Sequence, residues 1–281
     1  MTRAGERLGR TTLRRLLRRH KLSLKSNVKH LSPREHPDRD RQFQYIQARR
    51  RSFEAAGWPI LSVDTKKREL IGPFKSPGRI WCERAPEVYT HDFPHHAKAR
   101  AIPYGVYDVQ AQRGHIYVGV SADTPDFAVE AIVRWWQRVG RRRYPDARQL
   151  LLLADGGGSN GYRARRWKYQ LQERLSDAFG LRVTVCHYPP GASKWNPIEH
   201  RLFSQISQTW AGTPLTSLEV MLEGIRATRT ATGLRVGATL VKEPFPRGLR
   251  VTPAQMAALS LLKHAICPRW NYTLRPRNPR R

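Results

Sequence analysis

Three carboxylates stand where a folded chain ordinarily places apolar side chains. Asn196-Pro197-Ile198-Glu199 opens an amphipathic helix, and Glu199 lies in line with Leu202, Phe203 and Ile206. Those spacings mark the stripe that a helix turns toward its core. Asp64 sits within the strand-like run Ile60-Leu61-Ser62-Val63-Asp64, and Asp155 ends the apolar run Leu150-Leu151-Leu152-Leu153-Ala154. An ionised carboxylate in such a place loses water and needs a partner. Taken singly, each acid reads equally well as a helix cap or an ion-pair partner. Three of them on separate core elements suggest a shared cation. Phosphodiester cleavage with two divalent ions uses such a set, a few carboxylates holding metals roughly 3.5–4 Å apart. Mg²⁺ prefers oxygen ligands and keeps several waters, so two or three carboxylates suffice.

Other residues near the acids suit a phosphate-bearing partner. Lys66, Lys67, Lys194 and Arg201 lie close to them in sequence and would offset phosphate charge. Trp195, just before the helix, is either a stacking platform for a frayed base or a core tryptophan. His187 and His200 flank the site; His200 suits a phosphate contact or a proton transfer, and equally a structural or solvated role. His91, His95 and His96 cluster without a fourth ligand at sensible spacing, so they read as solvated loop residues. The run from Gly156 to Gly161 satisfies GxGxxG between a strand and a helix. A dinucleotide site would also need an acid ending the next strand, and that strand ends in His187-Tyr188. The glycines are better read as a sharp bend giving a metal or a strand close access to Asp155.

These side chains need elements to hold them. Residues 11–20 read as a helix with Leu13, Leu16 and Leu17 on one face and Arg10, Arg14, Arg15, Arg18 and Arg19 around it. It is either the recognition helix of a helix-turn-helix, with arginines on phosphates, or a solvated basic helix. Residues 32–41 look like a linker, and 43–56 like a helix ended by Gly57. From residue 60 the order is three strands, helix, strand, helix, strand, helix. A strand is expected over 60–70, then an irregular insertion over 72–100, and a hairpin of 102–109 and 115–120. Thr124-Pro125-Asp126 caps a helix carrying Phe127, Ala131, Trp135 and Val139 inward. Residues 150–153 read as a central parallel strand, apolar on both faces. A basic helix over 162–179 and a strand over 182–187 precede the Glu199 helix. A hairpin is expected over 234–241, and the tail 242–281 as mostly non-regular.

The 281 residues allow a sizeable core, and 51 Lys or Arg against 22 Asp or Glu give a formal charge of +29. Such a surplus opposes compaction and implies a polyanionic partner. Eight tryptophans and long apolar strands argue against a ribosomal or histone-like chain. Cys82, Cys186 and Cys267 show no CxxC pairing and read as reduced thiols of a cytoplasmic protein. No apolar run approaches the ~18 residues of a membrane span, so no membrane role is expected.

The longer motifs carry a resemblance. HPDRD from His36, SVDTKK (62–67), AIPYGVYD (101–108), ADGGGSNGYR (154–163), VCHYPPGASKWNPIEHRLFS (185–204), PLTS (214–217) and WNYTLRPR (270–277) are specific and span nearly the whole chain. Together they resemble the Rhodopirellula-type DDE transposases of bacterial insertion sequences, within the RNase H-like superfamily. NPIE also resembles the segment of mariner-like transposases in which the last acid follows Asn-Pro. The resemblance implies an α/β, RNase H-like mixed five-stranded sheet flanked by helices. It puts the catalytic and metal-binding triad on Asp64, Asp155 and Glu199, with two Mg²⁺ or Mn²⁺ ions as the expected cofactor. The implied reaction is cleavage of element ends followed by attack of the 3′-OH on target DNA. The implied partners are terminal-repeat and target DNA, with a homodimer on DNA allowed, in the bacterial cytoplasm at the nucleoid. Family members carry a longer N-terminal DNA-binding module. Residues 1–57 are therefore expected to be a truncated remnant of it plus linker, 58–231 the catalytic domain and 232–281 a basic extension. A truncated DNA-binding protein that occupies element ends without cutting, and an RNase H-like nuclease, are the alternatives.

Overall fold

The computed structural model of the chain describes residues 9–23, 25 and 36–277. It falls into two compact units, one up to residue 35 and one from His36 onward. In the first, α1 (Arg10–Arg19) buries no side chain, and Leu13 and Leu17 are exposed. Arg14, Arg15, Arg18 and Arg19 border a hollow of about 620 Å³ on it.

The second unit begins with α2 (Arg39–Ala55), which starts inside the expected linker; residues 32–35 of that linker lie outside the described residues. The expected boundary after residue 57 falls inside this unit. The reason is chemical: α2 buries Ile46 and Phe53 against Ile60, Leu151 and Leu153. Its buried Gln42 also donates to the His187 carbonyl and to Asn271 Oδ1, both at 2.8 Å.

The described strands form a nine-stranded mixed sheet. They are β1 (Ile60–Thr65), β2 (Glu69–Ile71), β3 (Ala99–Asp108), β4 (Arg113–Gly119), β5 (Gln149–Ala154), β6 (Arg182–His187), β7 (Arg235–Val241), β8 (Leu261–Lys263) and β9 (Asn271–Leu274). The order is β7-β4-β3-β1-β5-β6-β9-β8, with β2 alongside β3. At its middle, β3 runs antiparallel to its neighbours β4 and β1, while β5 and β6 run parallel to β1. That five-stranded centre is RNase H-like, as expected. The extra strands correct the count and the C-terminal expectation. Residues 235–241 form one strand paired with β4 instead of a hairpin, and β8 and β9 build out from β6. Residues 235–241, 261–263 and 271–274 are therefore strands of the sheet and not an appended arm. The strand expected over 60–70 is also two, parted at the three cations Lys66-Lys67-Arg68.

Helices cover both faces. On one, α3 (Pro125–Trp135) widens into a π turn at Trp136–Gly140 before α4 (Arg141–Arg143), and α5 (Arg165–Leu171) widens likewise at Gln172–Asp177. Thr124 caps α3 by accepting from the Phe127 amide at 3.3 Å. Leu150, Leu152 and Ala154 of β5 face these helices in a core with Trp135 and Trp167, whereas Leu151 and Leu153 face α2. Both faces being covered explains the unbroken apolar run of β5. On the α2 side, the helix bearing Glu199 passes through a π turn at Glu199–Phe203 into α6 (Ser204–Thr209), and α7 (Leu218–Ala227) follows it. Leu202, Phe203 and Ile206 meet Ile116, Val118 and Met221 there. The short α8 (Pro253–Ala257) carries a Thr252–Gln255 capping box. Residues 72–98 are irregular apart from one 3₁₀ turn at Pro94–His96.

Candidate active site

The sheet puts two of the three acids side by side. β1 and β5 are adjacent and parallel, and Val63 pairs with Ala154. One residue further along each strand come Asp64 and Asp155, at the carboxyl ends where open α/β sheets gather ligands. Ser62 and Asp64, two apart on β1, share the face toward the Glu199 helix. That helix reaches the sheet because two positions lack a side chain. Gly105 pairs with Asp64 across the β1–β3 ladder. A Cβ there would lie 2.6 Å from Phe203 and 2.7 Å from Ile198, and one at Gly114 would lie 2.4 Å from Leu202. Glycine thus sets the depth at which Glu199 meets Asp64.

The three acids act on one another. Burial, then the Asp155 charge, then Glu199 and Asp123, push the Asp64 carboxyl up to about 8, against the pull of the Thr65 amide. Burial and Asp155 also raise Glu199, while Lys66 and a hydrogen bond with Asp64 oppose them. Asp155 is raised by burial and lowered by Asn196. The upward shifts mark burial and mutual repulsion that a cation would relieve. Donors that are all oxygen, with mutual repulsion, suit a hard divalent ion such as Mg²⁺ or Mn²⁺. Among the described residues, no three His, Cys, Asp or Glu side chains are already arranged to hold a metal ion. Binding one would require the raised carboxyls to ionise and the three to approach more closely.

A fully buried amide links their three elements. Asn196 Nδ2 donates to Asp155 Oδ1 at 3.0 Å, and Asn196 Oδ1 accepts from the Ser62 hydroxyl. The Ser62 oxygen in turn accepts from the Ile198 amide at 3.0 Å. One side chain therefore joins β1, β5 and the start of the Glu199 helix. In the sequence Asn196 reads as part of a helix start and Ser62 as an ordinary strand residue; a small polar residue two positions before an acid in an apolar strand is the available signal. Asp123 is the other omission. It accepts from Thr65 Oγ1 at 3.2 Å and lies 3.9 Å from Arg68. With Asp64, Asp155 and Asn160 it lines a cleft of about 380 Å³. Its place just before the Thr124 cap disguised it as a helix-start acid.

The basic and aromatic candidates divide. Lys67 is exposed and lines the cleft. Lys66 also lines it, with its ammonium 2.7 Å from Glu69 and 4.7 Å from the Trp210 ring centre. Trp195 is 52% exposed, which removes the core-tryptophan reading; Phe43 meets its edge, and Lys194 lies over its ring. His200 and Arg201 are exposed beside Glu199, and the Arg201 charge is felt at Tyr107. Arg14, Arg15, Arg18 and Arg19 belong to the first unit. His187 is a structural histidine. Its Nδ1 donates to the Asp155 carbonyl at 2.8 Å, and burial lowers it to about 4, so it is neutral at physiological pH. His91, His95 and His96 stack with Phe93 and Tyr89 in the 72–98 segment. Among the described residues no helix is long and apolar enough to cross a membrane.

The family model described as the Rhodopirellula transposase DDE domain matches residues 1–276. No curated protein matches the sequence. Solved structures similar to it include the Mos1 transposase paired-end complex with left transposon end, at 17% identity over 74% of this chain and 59% of that one, TM-score 0.44. The Mos1 mariner paired end complex with Mn is 14% identical over 78% and 67%, TM-score 0.45. The Mos1 Strand Transfer Complex is 16% identical over 76% and 60%, TM-score 0.46. The chain thus spans 59% of the length of the first of these.

Proposed function

The chain belongs to the Rhodopirellula transposase DDE domain family, and on that footing we propose that it is a DNA transposase whose second unit cuts element ends and joins the freed 3′-OH to target DNA. Asp64, Asp155 and Glu199 are the catalytic acids and would hold the divalent cations. When bound, such ions activate the attacking oxygen and stabilise the leaving one. Asn196 and Ser62 fix the Asp155 carboxylate, Gly105 admits Glu199, and His187 anchors the Asp155 backbone. Lys67, Lys194 and the exposed Trp195 take the DNA close to the cut, joined by Lys66, His200 and Arg201, while the α1 arginines hold phosphates elsewhere. The acting partner is DNA in the cytoplasm, with a homodimer as the assembly. The observation that supports this reading is the adjacency of parallel β1 and β5, which end in Asp64 and Asp155, together with the close seat of the Glu199 helix over Gly105.

The test is cleavage of labelled DNA bearing the element's own terminal repeats, with Mg²⁺, Mn²⁺ or EDTA. Asp155→Asn keeps volume and removes charge, so nicking falls by several orders of magnitude while DNA binding persists or tightens. Glu199→Gln behaves alike. Wild type that binds the repeats but nicks under no divalent ion would replace the enzyme with a DNA-binding protein. Nicking that survives Asp155→Asn would move the active site elsewhere.

A further inference from the structure

Asp155 borders two hollows. On one side is the cleft shared with Asp64; on the other is a groove of about 660 Å³ between the loop after β5 and the loop after β6. Gly157 and Gly158 line both. The reasons for glycine differ along this loop. Gly158 has φ +70°, a conformation that L side chains rarely adopt, and a Cβ on Gly161 would lie 3.1 Å from the Gly157 backbone. Those two serve the fold. Gly157 does not: its φ of −128° and ψ of −172° are ordinary extended values, and a Cβ there would meet nothing within 4 Å. Any residue would fit, and a β-branched one would suit that backbone. A side chain at 157 would stand on the stretch of loop that borders both hollows.

The groove differs from the cleft in character. Apart from Asp155 it has no acid; its walls are glycine and proline backbone, Tyr162, Ser193 and one cation, Arg163, whose guanidinium lies 5.2 Å from the Tyr162 ring centre. Bare backbone, an aromatic ring and a guanidinium suit a single nucleic-acid strand, which brings a phosphate and a stackable base. A strand with its scissile phosphate at Asp64 and Asp155 has an arm on each side. The cleft side, with Lys67 and Arg68, provides for one arm. We infer that the groove walled by Tyr162, Arg163 and Pro189-Pro190 binds the other arm as single-stranded DNA, and that Gly157 is bare so that the strand can cross over Asp155. This rests on the DNA-cutting reading above, deepens it to a strand path, and leaves the direction of the strand open.

The test uses Gly157→Val, Gly157→Ala and Arg163→Ala in the full chain. Oligonucleotides carry 5-iododeoxyuridine at successive positions on both sides of the cut, so that either strand direction is sampled. Three readouts are taken: thermal midpoint, Mn²⁺ affinity by titration calorimetry, and photocrosslinking to Tyr162. Gly157→Val is expected to keep the midpoint or raise it, since it restricts the unfolded chain, and to keep Mn²⁺ affinity. The Tyr162 crosslink of wild type is expected at one position and to fall at least tenfold in Gly157→Val, with a smaller fall in Gly157→Ala and Arg163→Ala; nicking falls in parallel. A wild-type crosslink absent from Tyr162 at every position, or undiminished in Gly157→Val, overturns the path. Failure of the DNA-cutting reading looks different: wild type does not nick under any divalent ion, and the crosslink still decides whether the groove takes the strand.

Discussion

Replacing Asp64 by asparagine should stabilise the metal-free protein, and by an amount that grows with pH. Asp64 is held at about 8 against an ordinary value of 3.8. At about 1.4 kcal/mol per tenfold change in proton affinity, that difference is on the order of 5 kcal/mol. Asp64 is partly exposed, and solvent screening reduces the figure to on the order of 2–4 kcal/mol. The sign follows from linkage. Below pH 4 the carboxyl is neutral in folded and unfolded chains, and nothing is lost. As pH rises toward 8 the unfolded chain releases its proton while the folded one retains it, so stability falls across that window and levels off above it. Asparagine keeps the volume, can still accept from the Thr65 amide and has nothing to ionise. Urea unfolding of wild type and Asp64→Asn at pH 5, 6, 7 and 8, without divalent ions, should show a gap that widens steadily in favour of the variant. Saturating Mn²⁺ should close it, because a ligand at 100 times its Kd adds about 2.7 kcal/mol to the form that binds it. A gap independent of pH, or a wild type more stable than the variant at pH 8 without metal, would refute the account of Asp64 as a charge held in waiting for a cation.

Other outcomes follow from the same geometry. Gly105→Ala places a methyl 2.6 Å from Phe203; it should cost about 1–3 kcal/mol in urea unfolding and weaken Mn²⁺ binding as Glu199 is pushed away. Asn196→Ala removes the donor that lowers the Asp155 carboxyl, so the pH midpoint of Mn²⁺ binding should move upward; an unchanged midpoint would leave Asn196 a purely structural residue. Because +29 must be balanced by phosphates, DNA affinity should fall by roughly 10³ or more between 50 and 200 mM salt if six or more phosphates are engaged. A nearly flat salt titration would assign the charge another purpose.

Which parts of this molecule were legible in its sequence depended on how locally each was determined. The strand Arg182–His187, the Thr124 cap and the apolar run leading to Asp155 are written in neighbouring residues, and the structure has them where the sequence puts them. The outer strands are not. Asn271 at the start of β9 is a polar residue in a basic tail, and it is buried because Gln42, 229 positions earlier, exchanges hydrogen bonds with it. Thr273 is likewise matched by Thr184. A strand whose partners lie that far away shows no amphipathic signal in any short window, so the five strands expected became nine.

The site divides along the same line. An acid in an apolar element is conspicuous by itself, which is why Asp64, Asp155 and Glu199 stand out. The groups that govern those acids are small or ordinary. A glycine at 105, a serine at 62 and an asparagine at 196 each have a satisfactory local explanation that hides their shared role. Their meaning appears only when β1, β5 and the Glu199 helix are brought together. Gly105 then fixes how deep the helix sits, and Asn196 fixes how Asp155 is turned. The charge a cation would answer was therefore visible in the sequence, whereas the geometry that readies it was not. Asn196→Ala and Gly105→Ala probe that hidden part separately, one through proton affinity and the other through distance. If the two substitutions affected Mn²⁺ binding only in proportion to lost stability, positioning would have no role beyond holding the fold together.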